Sequence, residues 1–465
     1  MWLFNRYYTV YDLLLVLGDV ALVLGASLVV RAGFGWSGST GVGVPTVSIL
    51  RAAMVALIVV IAFYYSDLYA IDQTLSLHEL SHRFAGGLGV ACIITGLVSY
   101  PVPNFGKSIY VSEMVTMGLS LALWRLGFMK VIKQAGIRAK ILIMGNHTIG
   151  RLVAEEIYLR KKLGMEVIGF VGDKAGRVSL SYGNPRRVEI PVFTPDSLAG
   201  LVAAAGVNRI LVAGFDQFPA SYYKELVAMR AMGVPVEDCH SFYERLASKI
   251  AITDLPPEWI ALSKGFRRGR LILAAKRTID VLASFLGLIL SAPIALLTAI
   301  AIRLESPGPI LYRQERVGQN EKRFILYKFR SMTREAEASS GPVWAAEDDP
   351  RVTRVGAIIR KLRIDEIPQM VNVLKGEMSF VGPRPERPFF VEQLKQKIPY
   401  YDLRHSVKPG ITGWAQICYR YGDSEQDAAE KLQYDLFYVK HMSPVFDLQI
   451  IFESLKVILL GWGAR

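Results

Sequence analysis

The sequence predicts a membrane protein built from α and α/β parts. It divides into four transmembrane helices over 1–135, a Rossmann-like α/β domain over 136–262, and a mainly α unit over 263–465. The last part holds a re-entrant, proline-kinked membrane helix at 277–303. Three observations carry this prediction. Apolar residues make up 52% of the 465-residue chain and gather in separate runs rather than in one core. Strand and helix patterns alternate only between about 138 and 262. A further long apolar stretch is interrupted by a proline and has basic residues at both ends.

The first four elements are apolar runs at about 11–30, 47–65, 85–103 and 110–131, each approaching the length that crosses a bilayer. Arg51, near the start of the second, can snorkel to the interface, and the third ends at Pro101 and Pro103. Arg6, Arg83, Lys130, Lys133, Arg138 and Lys140 flank one side of these runs, whereas the other two loops carry only Arg31 and Lys107. Four spans with both ends in the cytoplasm satisfy that bias. The first run lacks a clear small-residue cleavage site, so it reads as an uncleaved anchor.

In the middle domain, "AKILIMG" (139–145), "EVIGFVG" (166–172) and "RILVAGF" (209–215) read as buried strands of a parallel sheet. The turn "GNHTIG" (145–150) keeps Gly145 and Gly150. His147, however, stands where a second glycine would let the backbone approach a pyrophosphate. Half a fingerprint predicts a structural or regulatory domain, with His147 a turn residue. The incomplete glycines and the lack of a Tyr-x-x-x-Lys pair in "YYKELVAMR" argue against a sugar-nucleotide dehydratase or epimerase.

The basic segment "SKGFRRGRLILAAKRT" (263–278) leads into "IDVLASFLGLILSAPIALLTAIAI" (279–302), which is long enough to span. Pro293 removes a backbone hydrogen bond inside it. Lys276 and Arg277 precede it and Arg303 follows, so both ends are positive. A helix that bends at Pro293 and returns to the side it entered satisfies both facts. A plain fifth span is the alternative, and would put everything after 303 outside the cytoplasm.

Beyond 303 the chain is dense in Arg, Lys, Gly and Pro, with short helical patterns and few long strand signals. "EQDAAEKLQYDLFYVKHM" (425–442) reads as an amphipathic helix carrying Asp435 and Tyr438. "FDLQIIFESLKVILLGW" (446–462) suits lying on a membrane or packing against the bent helix. Trp414 reads as a packing residue. A formal net charge of +13 favours anionic lipid headgroups and phosphate-bearing substrates. No dense Lys/Arg stripe interleaved with aromatics points to nucleic acid. Cys92, Cys239 and Cys418 are odd in number and far apart, which excludes a disulfide framework and suits a reducing compartment.

The stretch "RKLRIDEIPQMVNVLKGEMSFVGPRP" (360–385) places Asp365 and Glu366 among basic residues. As local structure, Asp365 is a candidate N-cap, with Glu366 and Pro368 in the first turn of the next helix. Two adjacent acids cannot both cap one helix end. The neighbourhood also keeps offering phosphate ligands: Lys328 and Arg330 in "YKFRSM" (327–332), Arg360, and Arg384 in "GPRP" (382–385).

Six ordered motifs now stand together: "KRTID" (276–280), "ESPGPILYRQERVG" (305–318), "YKFRSM", "IDEIPQMVNVLKGEMSFVGPRP", "KPGITGWAQ" (408–416) and "YDLFYVKHMS" (434–443). Over about 274–462 the chain resembles the bacterial polyprenyl-phosphate hexose-1-phosphate transferases. Its preceding spans and α/β domain are similar to the large members of that family, which initiate exopolysaccharide and O-antigen assembly. The resemblance implies transfer of a sugar-1-phosphate from a UDP-sugar to undecaprenyl phosphate at the cytoplasmic face of the bacterial inner membrane, with release of UMP. It implies Asp365 as nucleophile, forming a phosphosugar-aspartyl intermediate, and Glu366 as a Mg²⁺ holder. Lys328, Arg330, Arg360 and Arg384 become phosphate binders, and Pro293 the break in the re-entrant helix. Membrane lipids are expected partners, the large relatives and the extra α/β domain are compatible with a homodimer, and the oligomeric state and the transferred sugar are left open. The rival reading is a membrane-anchored nucleotide sensor that regulates a polysaccharide assembly complex.

Overall fold

The computed structural model describes the chain except residues 1, 4–5, 8–9, 34–43, 70–76, 100–106, 136–138, 161–163, 182–186, 195–196, 215–219, 267–268, 334–348, 420–423 and 461–465. Pro101, Pro103 and Arg138 lie outside the described residues. Packing divides the chain into two compact units. One comprises Met1–Leu3, Tyr7–Asn146 and Ala154–Glu237; the other comprises Phe4–Arg6, His147–Val153 and Asp238–Arg465.

Two short paired strands, β1 (Trp2–Leu3) and β2 (Arg6–Tyr7), precede four helices: α1 (Val10–Gly33), α2 (Val44–Tyr65), α3 (Leu77–Ser99) and α4 (Lys107–Ala135). Leu13–Val30, His78–Val98 and Ser108–Val131 are long and apolar enough to cross a membrane, whereas the apolar stretch of α2, Ile49–Tyr65, is shorter. α1 packs on α2 and α4, and α3 on the same two. Val55, Val59, Phe63, Met117 and Leu121 fill the bundle, while Leu50, Leu97 and Leu123 stand exposed on its outside. An apolar exterior of this kind is a lipid-facing surface. The bundle also holds a polar link that hydropathy does not reveal. Buried Arg125 reaches Asp19 at 2.6 Å and the Leu68 carbonyl at 2.6 Å. The pair is buried inside the bundle.

The α/β domain is a six-stranded sheet in the order β5-β6-β4-β3-β7-β8. Its strands are β3 (Ala139–Met144), β4 (Met165–Val171), β5 (Gly176–Ser181), β6 (Arg187–Phe193), β7 (Arg209–Val212) and β8 (Val236–Asp238). Helices α5 (Thr148–Leu159), α6 (Leu198–Ala205) and α7 (Ala220–Ala231) connect them. The expected parallel pairing holds for β3, β4, β6 and β7, but β5 runs antiparallel to β6 at the edge. Gly145 closes β3 with a φ of 94°, and His147 lies in the turn that follows.

The second unit contains α8 (Cys239–Ala247), α9 (Pro257–Leu262), α10 (Arg270–Glu305), β9 (Leu311–Val317), β10 (Arg323–Phe329), α11 (Arg354–Lys361), α12 (Gln369–Lys375) and β11 (Ser379–Val381). It continues through α13 (Pro388–Lys397), β12 (Gly410–Thr412), α14 (Trp414–Cys418), α15 (Glu425–His441) and α16 (Pro444–Leu460). Its core joins Ile250, Leu255, Trp414, Leu436 and Phe446. Segment 238–262 therefore packs with the C-terminal unit, and the packing boundary is at 237/238 instead of 262/263. Trp414 is a packing residue, as expected: its ring stacks on Phe437 and its indole N–H donates to the Ser248 carbonyl at 2.8 Å.

The unit is mainly helical, as expected, and also contains an antiparallel hairpin of β9 and β10 with Lys328 opposite Tyr312. α10 is a 36-residue helix that carries Pro293 in its interior, where the proline withholds the N–H that the Ile289 carbonyl would otherwise accept and favours a kink without ending the helix. α10 is held near both ends. Lys276 donates to Asp447 at 2.7 Å and Arg277 to the Val373 and Leu374 carbonyls at 2.6 and 2.8 Å. Beyond Pro293, Ala295, Ala299 and Ile302 pack with Phe329 and Ile359. α16 packs against α10, which was one of the two placements its apolar face allowed.

Candidate active site

The acidic pair is placed by the way α11 begins and ends. Thr353 caps α11 by accepting from the Gly356 N–H at 2.9 Å, and its own N–H donates to the Ser331 carbonyl at 3.1 Å. A Cβ at position 356 would lie 2.0 Å from that carbonyl, so only glycine permits this approach. After Lys361 the chain reverses through Arg363, which takes a left-handed φ of 57°, into a 3₁₀ turn at Ile364–Glu366. Asp365 is therefore not a helix N-cap. That position belongs to Pro368, whose side chain makes no cap hydrogen bond, and α12 starts at Gln369. A non-glycine residue in the left-handed region carries strain of the kind that collects at functional sites.

β10 supplies the partner cation. Its register beside α12 is fixed by Asn372, which is fully buried. Asn372 accepts from the Tyr327 N–H at 3.1 Å and donates to the Ile325 carbonyl and to Glu377, both at 2.7 Å. Lys328, the next residue, reaches Glu366 Oε1 at 3.0 Å and Asp365 Oδ2 at 3.8 Å. Arg384 comes from the loop after β11. β11 and β12 pair in parallel, and a Cβ on Gly410 would lie 2.1 Å from the Gly382 nitrogen, so two of the quoted motifs meet at glycines. The loop brings Arg384 Nη2 to Glu366 Oε1 at 3.1 Å, while Arg363 stands 3.7 Å from the same oxygen.

Four of the proposed site residues thus converge: Asp365, Glu366, Lys328 and Arg384. Two do not. Arg330 is buried with its guanidinium spent on the turn after α10, donating to the Ser306 carbonyl and hydroxyl at 2.8 Å and to the Pro307 carbonyl at 3.0 Å. Among the described residues no hydrogen bond joins it to Asp365 or Glu366. Arg360 is half-buried in the last turn of α11, and among the described residues no hydrogen bond joins it to Asp365 or Glu366. Arg363 and Asn372 were not singled out by sequence reasoning. A buried-type asparagine inside a short helix, where its propensity is poor, was the available signal.

The two carboxylates are electrostatically unequal, although both are 7% exposed. Burial pushes the Asp365 carboxyl above its ordinary value, and the neighbouring Glu366 adds to that against the pull of Lys328. Burial also acts on Glu366, but Lys328, Arg384 and Arg363 outweigh it and hold this carboxyl well below the usual range. Both hydrogen bonds to Glu366 fall on Oε1. No group of three or more His, Cys, Asp or Glu gathers among the described residues. Carboxylate oxygens are hard ligands of the kind Mg²⁺ takes, binding through one or two of them and completing its shell with water and substrate phosphates.

Comparison with known proteins agrees with this architecture. The family described as bacterial sugar transferase matches residues 271–461. The UDP-N-acetylgalactosamine-undecaprenyl-phosphate N-acetylgalactosaminephosphotransferase of Aeromonas hydrophila is 48% identical over 190 residues, 41% of this chain and 45% of that protein. The UDP-glucose:undecaprenyl-phosphate glucose-1-phosphate transferase of Escherichia coli (strain K12) is 34% identical over 325 residues, 68% of this chain and 66% of that one. The exopolysaccharide production protein PSS of Rhizobium leguminosarum bv. phaseoli is 41% identical over 191 residues, 39% of this chain but 94% of that protein. The matches thus span 45% and 66% of the first two relatives' lengths and nearly all of the third. The residues around the buried Asp-Glu pair all fall within the matched region, and the chain belongs to the bacterial sugar transferase family.

Proposed function

We propose that this protein transfers a sugar-1-phosphate from a UDP-sugar to undecaprenyl phosphate, yielding undecaprenyl-diphospho-sugar and UMP, as the first membrane step of an exopolysaccharide or related glycan. The observation that carries the reading is the unequal carboxylate pair within reach of Lys328 and Arg384. A carboxyl pushed upward has raised basicity and nucleophilicity. The adjacent carboxyl is held as an anion, the form in which a carboxylate ligates a hard cation.

A carboxylate oxygen of Asp365 bonds to the β-phosphorus. The bond from that phosphorus to the bridging oxygen breaks, and UMP leaves with the electron pair. A phosphate oxygen of the lipid then attacks the same phosphorus, and the Asp365 carboxylate is released unchanged. Glu366, with the substrate phosphates, would hold Mg²⁺, which supplies charge neutralisation for the departing UMP. Lys328 and Arg384 orient and stabilise the phosphoryl oxygens, the main protein contribution in phosphoryl transfer.

The reaction joins a soluble nucleotide to a lipid phosphate, so it belongs at the bilayer surface, on the cytoplasmic face. A re-entrant α10 is supported by its two sets of contacts. Residues 277 and 302 would stand roughly 38 Å apart along a straight helix, more than the roughly 30 Å of hydrocarbon. Both ends nevertheless pack on one folded unit. A spanning α10 would drag that unit through the bilayer core.

Asp365→Asn membranes should lose UMP release from a UDP-sugar by about 10³-fold or more. A sugar-phosphate adduct should be trapped on Asp365 in the wild type when lipid phosphate is withheld. Near-normal UMP release by the variant would sink the assignment. Ternary-complex kinetics without an adduct would replace the covalent route by direct attack.

A further inference from the structure

The loop that carries Arg384 is pinned to an unusual degree. Four successive carbonyls each meet a different donor. Pro383 O accepts from the Gly410 N–H at 2.9 Å, and Glu386 O from the Val317 N–H at 2.9 Å. Between them, Arg384 O accepts from Arg404 Nη2 at 2.9 Å and Pro385 O from Arg316 Nη1 at 3.0 Å. Two prolines within the same span restrict φ and remove two N–H groups. No donor in this set belongs to the loop, so its shape is imposed by its surroundings.

Arg404 is the centre of that arrangement. Its Nε and Nη2 meet Asp435 Oδ2 at 3.0 and 2.8 Å, its Nη1 donates to the Tyr401 hydroxyl at 2.8 Å, and both Arg404 and Asp435 are buried. Only a planar fork serves three partners in these directions, and a lysine ammonium cannot. A buried ion pair gives little net stability, since desolvation offsets its attraction. The arrangement does fix where the Arg384 backbone lies, and the Arg384 side chain ends 3.1 Å from Glu366.

We infer that Arg404, oriented by Asp435 and Tyr401 and assisted by Arg316, is a positioning residue that sets the placement of Arg384 against the acidic pair. The inference rests on the transferase reading for its kinetic consequence, but not for its structural one. Arg404 touches no reacting atom. It acts through one backbone carbonyl, and a shift of about 1 Å at a phosphate-binding side chain can cost up to about 100-fold in rate.

The test compares full-length Arg404→Lys, Arg384→Ala and the double variant in membranes or detergent. Hydrogen exchange over 380–388 is read alongside UMP release. Arg404→Lys should lower kcat by about 10- to 100-fold while the KM for the lipid phosphate stays within about twofold. In the Arg384→Ala background the same change should cost less than about twofold. Exchange should rise in 380–388 and remain unchanged in α15. Full additivity of the two substitutions, or unchanged exchange in 380–388, would overturn the clamp. Absence of UMP release by the wild type would instead defeat the transferase reading, and exchange would still decide whether Arg404 holds the loop.

Discussion

At the scale of the residue, the two members of the acidic pair see different surroundings. Asp365 meets one cation at 3.8 Å, whereas Glu366 meets cations at 3.0, 3.1 and 3.7 Å. Asp365 is pushed above its unfolded value of 3.8, so its contribution to stability is greatest at low pH and is lost as pH rises through the shifted value. Glu366 is pushed below 4.5, so its contribution is present above 4.5 and is lost as pH falls through the depressed value. Asp365→Asn should therefore raise the thermal midpoint at pH 7 by roughly 2–4 °C while abolishing activity. Glu366→Gln should lower it by a similar amount, because it removes the carboxylate that Lys328 and Arg384 share. Thermal unfolding of both variants in one detergent checks the two signs, and a stabilised Glu366→Gln would contradict the ion-pair account. Activity should also fall on acidification through the Asp365 value, since protonation removes the attacking lone pair. The identities of Asp365, Glu366, Lys328 and Arg384 were legible in the sequence through ordered motifs. Arg363 was not, because nothing in "KLRID" signals a left-handed turn.

At the scale of the element, alternation decided what could be read. β3, β4 and β7 are continuous buried runs and stand out. β10 alternates exposed Arg323 and Ile325 with buried Phe324 and Leu326, so its strand character hides inside a basic segment. Its position depends on a side chain that hydropathy ignores. Asn372→Ala would leave the Tyr327 N–H and Ile325 carbonyl without their partner, a cost of about 1–3 kcal/mol for buried groups. It would also loosen Lys328 from the pair. Denaturant unfolding should show that loss, and UMP release should fall more steeply than stability alone explains. Equal losses would make Asn372 merely structural. For α10, Pro293→Ala restores the hydrogen bond to the Ile289 carbonyl and favours a straighter helix. A cysteine placed after 303 should be labelled only from the cytoplasmic side in the wild type. In the alanine variant some labelling should appear outside. External labelling of the wild type would refute the re-entrant course.

At the scale of the whole molecule, the middle domain was visible as strand–helix alternation, while segment 238–262 packs with the residues that follow it. α8 and α9 look like a continuation of the α/β pattern, since "CHSFYERLA" is an ordinary amphipathic helix. Long-range pairing moves them. Glu244 meets Lys440 at 2.7 Å, and Lys440 sits 4.0 Å over the Trp259 ring. Asp238 caps α8 and also accepts from the Trp259 indole at 2.9 Å, while Ile250 N–H donates to the Gln433 carbonyl at 3.0 Å. Lys440 lies 196 residues from Glu244, and Gln433 is likewise far from Ile250, so no local signal could reveal these pairings. The consequence is a sharp difference between two deletions. Removing 139–237 takes away the sheet but leaves Asp238 and everything that packs with α15, so UMP release should persist within about tenfold of the full chain. Removing 139–262 also strips Ile250 and Leu255 from the core of the second unit and leaves Glu244's two partners, Lys440 and His441, without their carboxylate. Losing several buried apolar side chains at roughly 2–5 kcal/mol each exceeds ordinary domain stability, so that protein should fail to fold or to accumulate. Expression, size-exclusion behaviour and UMP release of the two variants decide the matter. Equal folding and activity would move the boundary back to 262. Loss of all activity in a well-folded 139–237 deletion would make the α/β domain part of the catalytic machinery or its regulator.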